Sequence, residues 1–179
     1  MRKIKLYTAV TLDNYISRSD GNIDWLEDIP EPENEDYGYK AFYDSIDSTL
    51  MGHNTFCKIR SFGVRFPYHS KDNYVFSRSE QEGSEHVTFV TDELIPFVQE
   101  LRNKRGQDIW LIGGGQINAQ LLKAGLIDEI ILTVFPLVLG KGIPLFEGEV
   151  DETAFVLDEC KTYPNGVLQL KYACLDNHV

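Results

Sequence analysis

Three short polar segments hold the groups in this sequence best suited to binding an anion: Gly113-Gly114-Gly115-Gln116, Gly52-His53-Asn54-Thr55 and Ser77-Arg78-Ser79. Each follows a stretch that reads as a strand, so each offers backbone N–H groups, hydroxyls or a cation at a strand end. Residues 109–112 are unbroken apolar, as in a strand buried on both faces of a parallel sheet, and residues 116–123 read as a helix with Gly125 as its C-cap. Glycines without Cβ let a ligand or a neighbouring strand approach the backbone. The spacing fits neither G-x-G-x-x-G nor G-x-x-x-x-G-K-[ST], so neither nucleotide fingerprint applies. Together the segments suggest a cradle for a multiply phosphorylated ligand, in which Arg78 could make a bidentate phosphate contact. The plainer alternatives are a tight strand-to-helix turn, a solvated Arg78 and a His53 bonded to its own backbone.

The candidates for acid–base work are Asp13, Asp24 and Asp36. Asp36 falls in the first turn of a helix expected at 35–47, where the helix dipole stabilises a carboxylate, and it reads equally well as an ordinary helix-start acid. Asp24 precedes Trp25 and reads equally as a turn cap. Nothing resembles a Ser/His/Asp arrangement or a metal cluster, and His69, His86 and His178 have no evident partner.

The elements that must position these groups follow from periodicity. Strands are expected at 4–10 (central in the sheet), 48–51, 74–76, 87–90, 109–112, 127–138, 155–163 and 167–174. Helices are expected at 35–47 with Asn34 as N-cap, from 54 or 55 to about 59, at 92–103 with Thr91 as cap and Pro96 in the first turn, and at 116–123. Pro164-Asn165-Gly166 between two extended runs signals a hairpin. Strands that alternate with helices and end in an antiparallel pair imply one α/β domain of three layers, with a mostly parallel sheet and an antiparallel C-terminal edge.

Composition narrows the function. The chain has 179 residues, 42% hydrophobic and 25% charged, with a net charge of −11. That balance is globular, and it argues against a nucleic-acid partner, which needs a basic surface. No apolar run approaches ~18 residues, so no membrane span is expected, and the N-terminus is too interrupted for a signal peptide. Cys57, Cys160 and Cys174 are odd in number and widely spaced, which suggests reduced, buried thiols in a cytoplasmic protein and no metal site.

Six segments, TAVTLDNYIS, GNIDWL, STLMGHNTF, NYVFSRS, DIWLIGGGQINAQLL and LIDEIILTVFPLVLGKGIPLF, occur in an order that resembles the dihydrofolate reductase superfamily. The likeness is greatest to the branch of the C-terminal reductase domain of the bifunctional riboflavin-biosynthesis protein. It runs from Leu6 to Phe146. The resemblance implies a single α/β domain that uses NADPH for hydride transfer to a heterocyclic C=N or a ribose aldehyde. It implies that Ile112, Gly113, Gly114, Gly115 and Gln116 face the pyrophosphate and nicotinamide ribose, and that Gly52, His53, Asn54 and Thr55 hold the phosphates. Ser77 and Arg78 would hold the 2′-phosphate and adenosine ribose, Ala9 would line the nicotinamide pocket, and Trp25 would lie in the loop covering it.

On the substrate side, Asp36 falls where dihydrofolate reductase has its pterin-binding acid and Thr133 where it has the accompanying threonine. LGKGIPLF instead resembles the riboflavin-type branch, where catalysis is mainly positioning of hydride donor and acceptor. This chain has His53 where the family usually has a basic residue, which shifts phosphate recognition toward Arg78. The upstream deaminase pattern of H-x-E with C-x-x-C is absent. The expectation is a cytoplasmic NADPH-dependent reductase acting on a small molecule, a homodimer by analogy with the riboflavin-type branch. The alternatives are a dihydrofolate reductase and a non-catalytic nucleotide-binding module of the same fold, the latter favoured by His53.

Overall fold

The strand nearest the N-terminus becomes the centre of the sheet. In the computed structural model, which describes residues 1–30, 32 and 35–175, β1 (Ile4–Thr11) lies between β6 (Asp108–Gly113) and β7 (Glu129–Phe135), parallel to both. Beyond β6 come β3 (Ile46–Gly52), β4 (Asp72–Phe76) and β5 (Val87–Val90), all parallel. Beyond β7 the hairpin β10 (Leu168–Cys174) and β9 (Phe155–Thr162) runs antiparallel and completes eight strands. A second, two-stranded sheet pairs β2 (Tyr15–Ser17) with β8 (Ile143–Pro144), tying the turn after β1 to the loop after β7.

Alternation along β1 sends Ile4, Leu6 and Val10 to one face. There they share a core with Val98 and Leu101 of α3 (Leu94–Asn103) and with Ile117 and Leu121 of α4 (Gly115–Lys123). Tyr7 and Trp110 point to the other face and pack with Phe42 of α1 (Tyr39–Asp44), while α2 (His53–Ser61) covers β3 and β4 through Ile59. Helices on both faces of a mostly parallel sheet give the three layers expected of the sequence.

Several boundaries differ from the sequence expectation. The helix expected at 35–47 is only Tyr39–Asp44, because Tyr37 (φ +51°) and Gly38 (φ +77°) are left-handed and cannot belong to it. At its other end the Ser45 hydroxyl donates to Phe42 O at 2.7 Å, and fully buried Ile46 already belongs to β3. Asn34, the expected N-cap, lies outside the described residues. Helix α3 begins at Leu94 with Glu93 as N-cap, so Thr91 does not cap it. The strand expected at 127–138 stops at Phe135, where Pro136 removes a ladder donor. Gly125 (φ +64°) closes α4 one residue past the C-cap Ala124: Gly125 N–H donates to Leu122 O and Leu126 N–H to Leu121 O, a Schellman motif. Cys57 and Cys160 are exposed and Cys174 is half-buried, contrary to the expectation of buried thiols.

At the edge opposite the strand C-termini, charges alternate across five neighbouring strands. Asp108 pairs with Lys5 (2.8 Å), Lys5 with Glu129 (3.8 Å), Glu129 with Lys171 (3.9 Å) and Lys171 with Asp158 (3.0 Å). Burial pushes the Asp108 carboxyl up, but the hydrogen bonds from Lys5 Nζ and Lys3 N–H and the two lysine charges outweigh it, leaving its pKa below the ordinary value. A carboxyl with a pKa lower folded than unfolded contributes stability that is complete above the unfolded value of ~3.9 and is lost as pH falls through the folded one. Urea midpoints measured at stepped pH are therefore expected to hold from neutrality to about pH 4 and fall below it, and Asp108→Asn should flatten that fall. An unchanged acid slope in Asp108→Asn would show that the ladder adds nothing.

Candidate functional site

Strands β4, β3, β6 and β1 are neighbours and parallel, so their C-terminal ends share one edge of the sheet, the usual binding edge of such folds. Gly52 ends β3 and is the N-cap of α2; Gly113 ends β6 and Gly114 is the N-cap of α4. Neither cap makes a side-chain hydrogen bond, so both helix starts keep backbone N–H groups and a positive dipole end for an anion. The two starts touch. A Cβ on Gly114 would lie 3.3 Å from Thr55 Oγ1, and one on Gly52 would lie 3.2 Å from Ile117 Cδ1.

Steric need explains the glycines. A Cβ on Gly113 would stand 2.9 Å from buried Asn118 Oδ1; one on Gly115 would stand 2.5 Å from Pro144 O. Glu147 N–H donates to Gly115 O (3.0 Å) and Asn118 Nδ2 to Leu145 O (2.8 Å), so the loop after β7 is laced to the start of α4. The same loop is held from below by Asp13, whose carboxylate accepts from Thr11 Oγ1 (2.6 Å), Leu139 N–H (3.0 Å) and Gly140 N–H (2.7 Å).

At the β4 end, Ser77 Oγ accepts from Ser79 N–H and from Gln81 Nε2, each at 3.3 Å. Gln81 Nε2 also lies 2.7 Å from His53 Nε2, and Cys57 Sγ stands 3.5 Å from the same nitrogen. His53, Ser77 and Gln81 thus form one rim. Arg78 beside them is exposed and makes no side-chain hydrogen bond or ion pair among the described residues. Sequence reading missed Gln81, which sits in a loop with no motif to mark it.

At the β1 end, Ala9 is opposite Thr133 of β7. Thr133 is buried, and its hydroxyl accepts from Gln169 Nε2 (3.2 Å), which also donates to Tyr37 O (2.6 Å). Tyr7 Oη donates to that same carbonyl (3.1 Å), and its ring is stacked on Phe42 (4.3 Å between centroids). Burial pushes the Tyr7 phenol up to about 12, so it remains a protonated donor at neutral pH. Tyr7, Tyr37 and Gln169 were not singled out in the sequence; only the chain reversal at Tyr37 and Gly38 brings their groups together.

Trp25 lies in a short 3₁₀ turn, Asp24–Leu26, and is fully buried against Phe135 (5.6 Å, edge-on), with Ala9 in the same apolar group. It forms an inner wall rather than a surface flap, and its indole Nε1 has no hydrogen-bond partner among the described residues. The acids have structural partners. Asp36, exposed, accepts from Gly38 N–H (2.8 Å) and Lys40 N–H (2.9 Å), and these bonds hold its carboxyl below the usual range. Asp24 accepts from Arg18 Nε at 2.6 Å. His69 Nδ1 bonds Phe66 O (3.1 Å) and faces the His86 ring (6.5 Å). His178 lies outside the described residues, and no group of three metal-binding side chains occurs among those described.

A mostly parallel sheet with two uncapped helix starts meeting at its C-terminal edge defines a dihydrofolate-reductase-like α/β domain. The chain belongs to the RibD C-terminal domain family, matched over residues 2–169. It is 40% identical to YwjB of Bacillus subtilis over 96% of this chain and 97% of that one, and 34% identical to YyaP of the same organism over 96% and 94%; both are uncharacterised. A solved structure from Shewanella sp. PV-4 with a provisional riboflavin-biosynthesis name has TM-score 0.87 at 32% identity, covering 97% of this chain and 99% of that one. The deaminase/reductase of Thermotoga maritima shares the fold (TM-score 0.73, 16% identity), with this chain spanning 57% of its length. No helix among the described residues is long and apolar enough to cross a membrane.

The close approach at Gly115 sets a test. Gly115→Ala is expected to lower unfolding free energy by about 1–3 kcal/mol, because the new methyl meets a backbone carbonyl rather than a movable side chain. Urea denaturation measures it; an unchanged midpoint would mean that the loop after β7 yields freely.

Proposed function

We propose that this chain is an NADPH-dependent reductase of the riboflavin-pathway type, cytoplasmic and assembled as a homodimer, acting on a small heterocyclic or ribosylamino-pyrimidine substrate. The carrying observation is the meeting of two uncapped helix N-termini, at Gly52–Thr55 and Gly114–Gln116, on the C-terminal edge of a parallel sheet. These residues fit a dinucleotide: the glycines let the two helix starts meet, and the N–H groups of both starts would hydrogen-bond a pyrophosphate. When bound, NADPH supplies the hydride.

In this reading Ser77 and Arg78, with His53 and Gln81 beside them, hold the 2′-phosphate end. Ala9 and Ile112 line the nicotinamide end, and Trp25 excludes water behind it. The substrate end is built from Tyr7, Thr133 and Gln169, with Asp36 at its mouth. Tyr7 there holds a phenolic proton in a fixed direction, and hydride acceptance requires mainly that the substrate be held close to the donor.

Titration with NADPH and NADH tests the cradle, with energy transfer from Trp25 and Trp110 as the readout. Selective binding of NADPH is expected; no binding of either nucleotide at millimolar concentration overturns the reductase reading. Arg78→Ala is expected to weaken NADPH by about 1.5–3 kcal/mol, the worth of a charge-assisted hydrogen bond, and to leave NADH nearly unchanged. Equal losses for both would remove Arg78 from 2′-phosphate recognition. With dihydrofolate and the riboflavin precursor as trial substrates, Asp36→Asn should retain turnover; its loss would favour a pterin reductase.

A further inference from the structure

A cavity of about 360 Å³ lies beside β5, the outermost strand of the sheet, between α2, the segment 66–69 and the loop 81–86. Phe56, Phe66 and Phe89 wall it, with Phe56 5.7 Å from Phe66 and 5.3 Å, edge-on, from Phe89. Paired backbone bonds fold the loop back onto β5, Ser84 N–H to Val87 O (2.9 Å) and Val87 N–H to Ser84 O (3.1 Å). Helix α2 runs back from the cradle, so Arg60 in its last turn lies toward the opposite edge of the sheet, as do His69 and His86 just before β4 and β5. The cavity is therefore separate from the cradle. Gln81 reaches both: it lines the cavity while its Nε2 bonds His53 Nε2 (2.7 Å) and Ser77 Oγ (3.3 Å). The polar groups of the cavity are unspent. Arg60 is exposed and, like Glu82, has no side-chain hydrogen bond or ion pair among the described residues. His69 Nδ1 is 3.1 Å from the acceptor Phe66 O, so that nitrogen carries a proton and Nε2 of the neutral ring is left as an acceptor. His86 faces the His69 ring at 6.5 Å, and its Nε2 is 3.7 Å from Glu85, beyond hydrogen-bond length. An aromatic cavity with converging polar groups that lack protein partners is the ordinary form of a small-molecule site.

We propose that this cavity binds a second small molecule, a planar nitrogen heterocycle bearing an anionic group, of the class of a pyrimidine or purine mononucleotide. The three phenylalanines select the ring, which they hold by stacking and edge-on packing. The acceptors select its nitrogens: Glu82, the Gln81 carbonyl oxygen and His69 Nε2 each accept from a ring or exocyclic N–H. Arg60 selects the anion, since a guanidinium makes a bidentate contact with a phosphate. In a chain of net charge −11, an exposed arginine without an ion pair is also where an anion meets least repulsion. Gln81 couples the site to the cradle. A ligand that draws its amide inward loosens the bonds to His53 and Ser77, so an occupied cavity weakens the hold on a dinucleotide. That consequence rests on the reductase reading; the binding itself does not.

Isothermal titration with uridine 5′-monophosphate, adenosine 5′-monophosphate and inorganic phosphate tests this. A mononucleotide is expected to bind at least about 10-fold more tightly than inorganic phosphate, and the tighter of the two identifies the base. Arg60→Ala should weaken that binding at least about 10-fold, the loss of a charge-assisted hydrogen bond. Arg105→Ala, which removes an exposed arginine in the loop after α3, should leave it unchanged. The saturating nucleotide is expected to raise the NADPH dissociation constant about 3-fold or more but only to a ceiling, and Gln81→Ala to remove that effect. A rise without a ceiling would put the nucleotide in the cradle and overturn the cavity site. So would an absence of mononucleotide binding at millimolar concentration, or equal losses in Arg60→Ala and Arg105→Ala. Binding that Arg60→Ala abolishes, in a protein that takes up no NADPH, would keep the cavity site and overturn the reductase reading instead.

Discussion

Close backbone approach at Gly113–Gly115 is the constraint on which the remainder depends. Three successive residues without side chains let β6 turn straight into α4 while Thr55, Asn118 and the carbonyl of Pro144 crowd in from three sides. One steric fact therefore fixes two things. It brings the starts of α2 and α4 into contact, and it seats the loop after β7 against α4, from which Leu145 N–H reaches Asn14 O in the turn after β1. The two helix starts proposed as an anion cradle and the loop against them are parts of one packing arrangement.

The opposite end of the site shows where local preference gives way. Tyr37 adopts a left-handed backbone that an aromatic residue rarely takes, at a cost of about 1–3 kcal/mol. The conformation aims its carbonyl at two donors, Tyr7 Oη and Gln169 Nε2, and Asp36 steadies the turn by accepting from Gly38 and Lys40. Trp25 nearby buries an indole N–H with no protein acceptor among the described residues. Two departures from ordinary backbone and hydrogen-bond rules lie around Ala9 and Thr133, the end proposed for chemistry, and the other proposed end has its own, a cis peptide between Gly113 and Gly114. Violations of local rules concentrate at functional sites because the surrounding fold can sustain them there.

Electrostatics divides the molecule in a third way. The ladder from Asp108 to Asp158 ties five strands on one face at the edge remote from the cradle, and the apolar face of β7, β10 and β9 lies on the other side of the same strands. Period-two alternation keeps these sets apart, so one hairpin carries ionic cross-links on one side and apolar side chains on the other.

The sequence by itself determined the order of strands and helices, the three-layer α/β class, the glycine turn at 113–115 and the segments that gather at strand ends. Those features are local: apolar periodicity, glycine placement and an Asn-Gly turn are written in neighbouring residues. It also determined which family the motifs resemble. Only the tertiary structure decided that Asp13, Asp24 and Asp36 are bound to structural partners, that Gln81 joins His53 and Ser77, and that Gln169 on the last strand meets Thr133 and the carbonyl of Tyr37. Each of these is a side-chain contact between segments distant in the chain, and Tyr37 owes its direction to a left-handed turn that shortened a helix the local pattern had made longer. A single sequence records which residues favour a strand or a turn; which of their polar groups meet is settled only when the sheet order is complete.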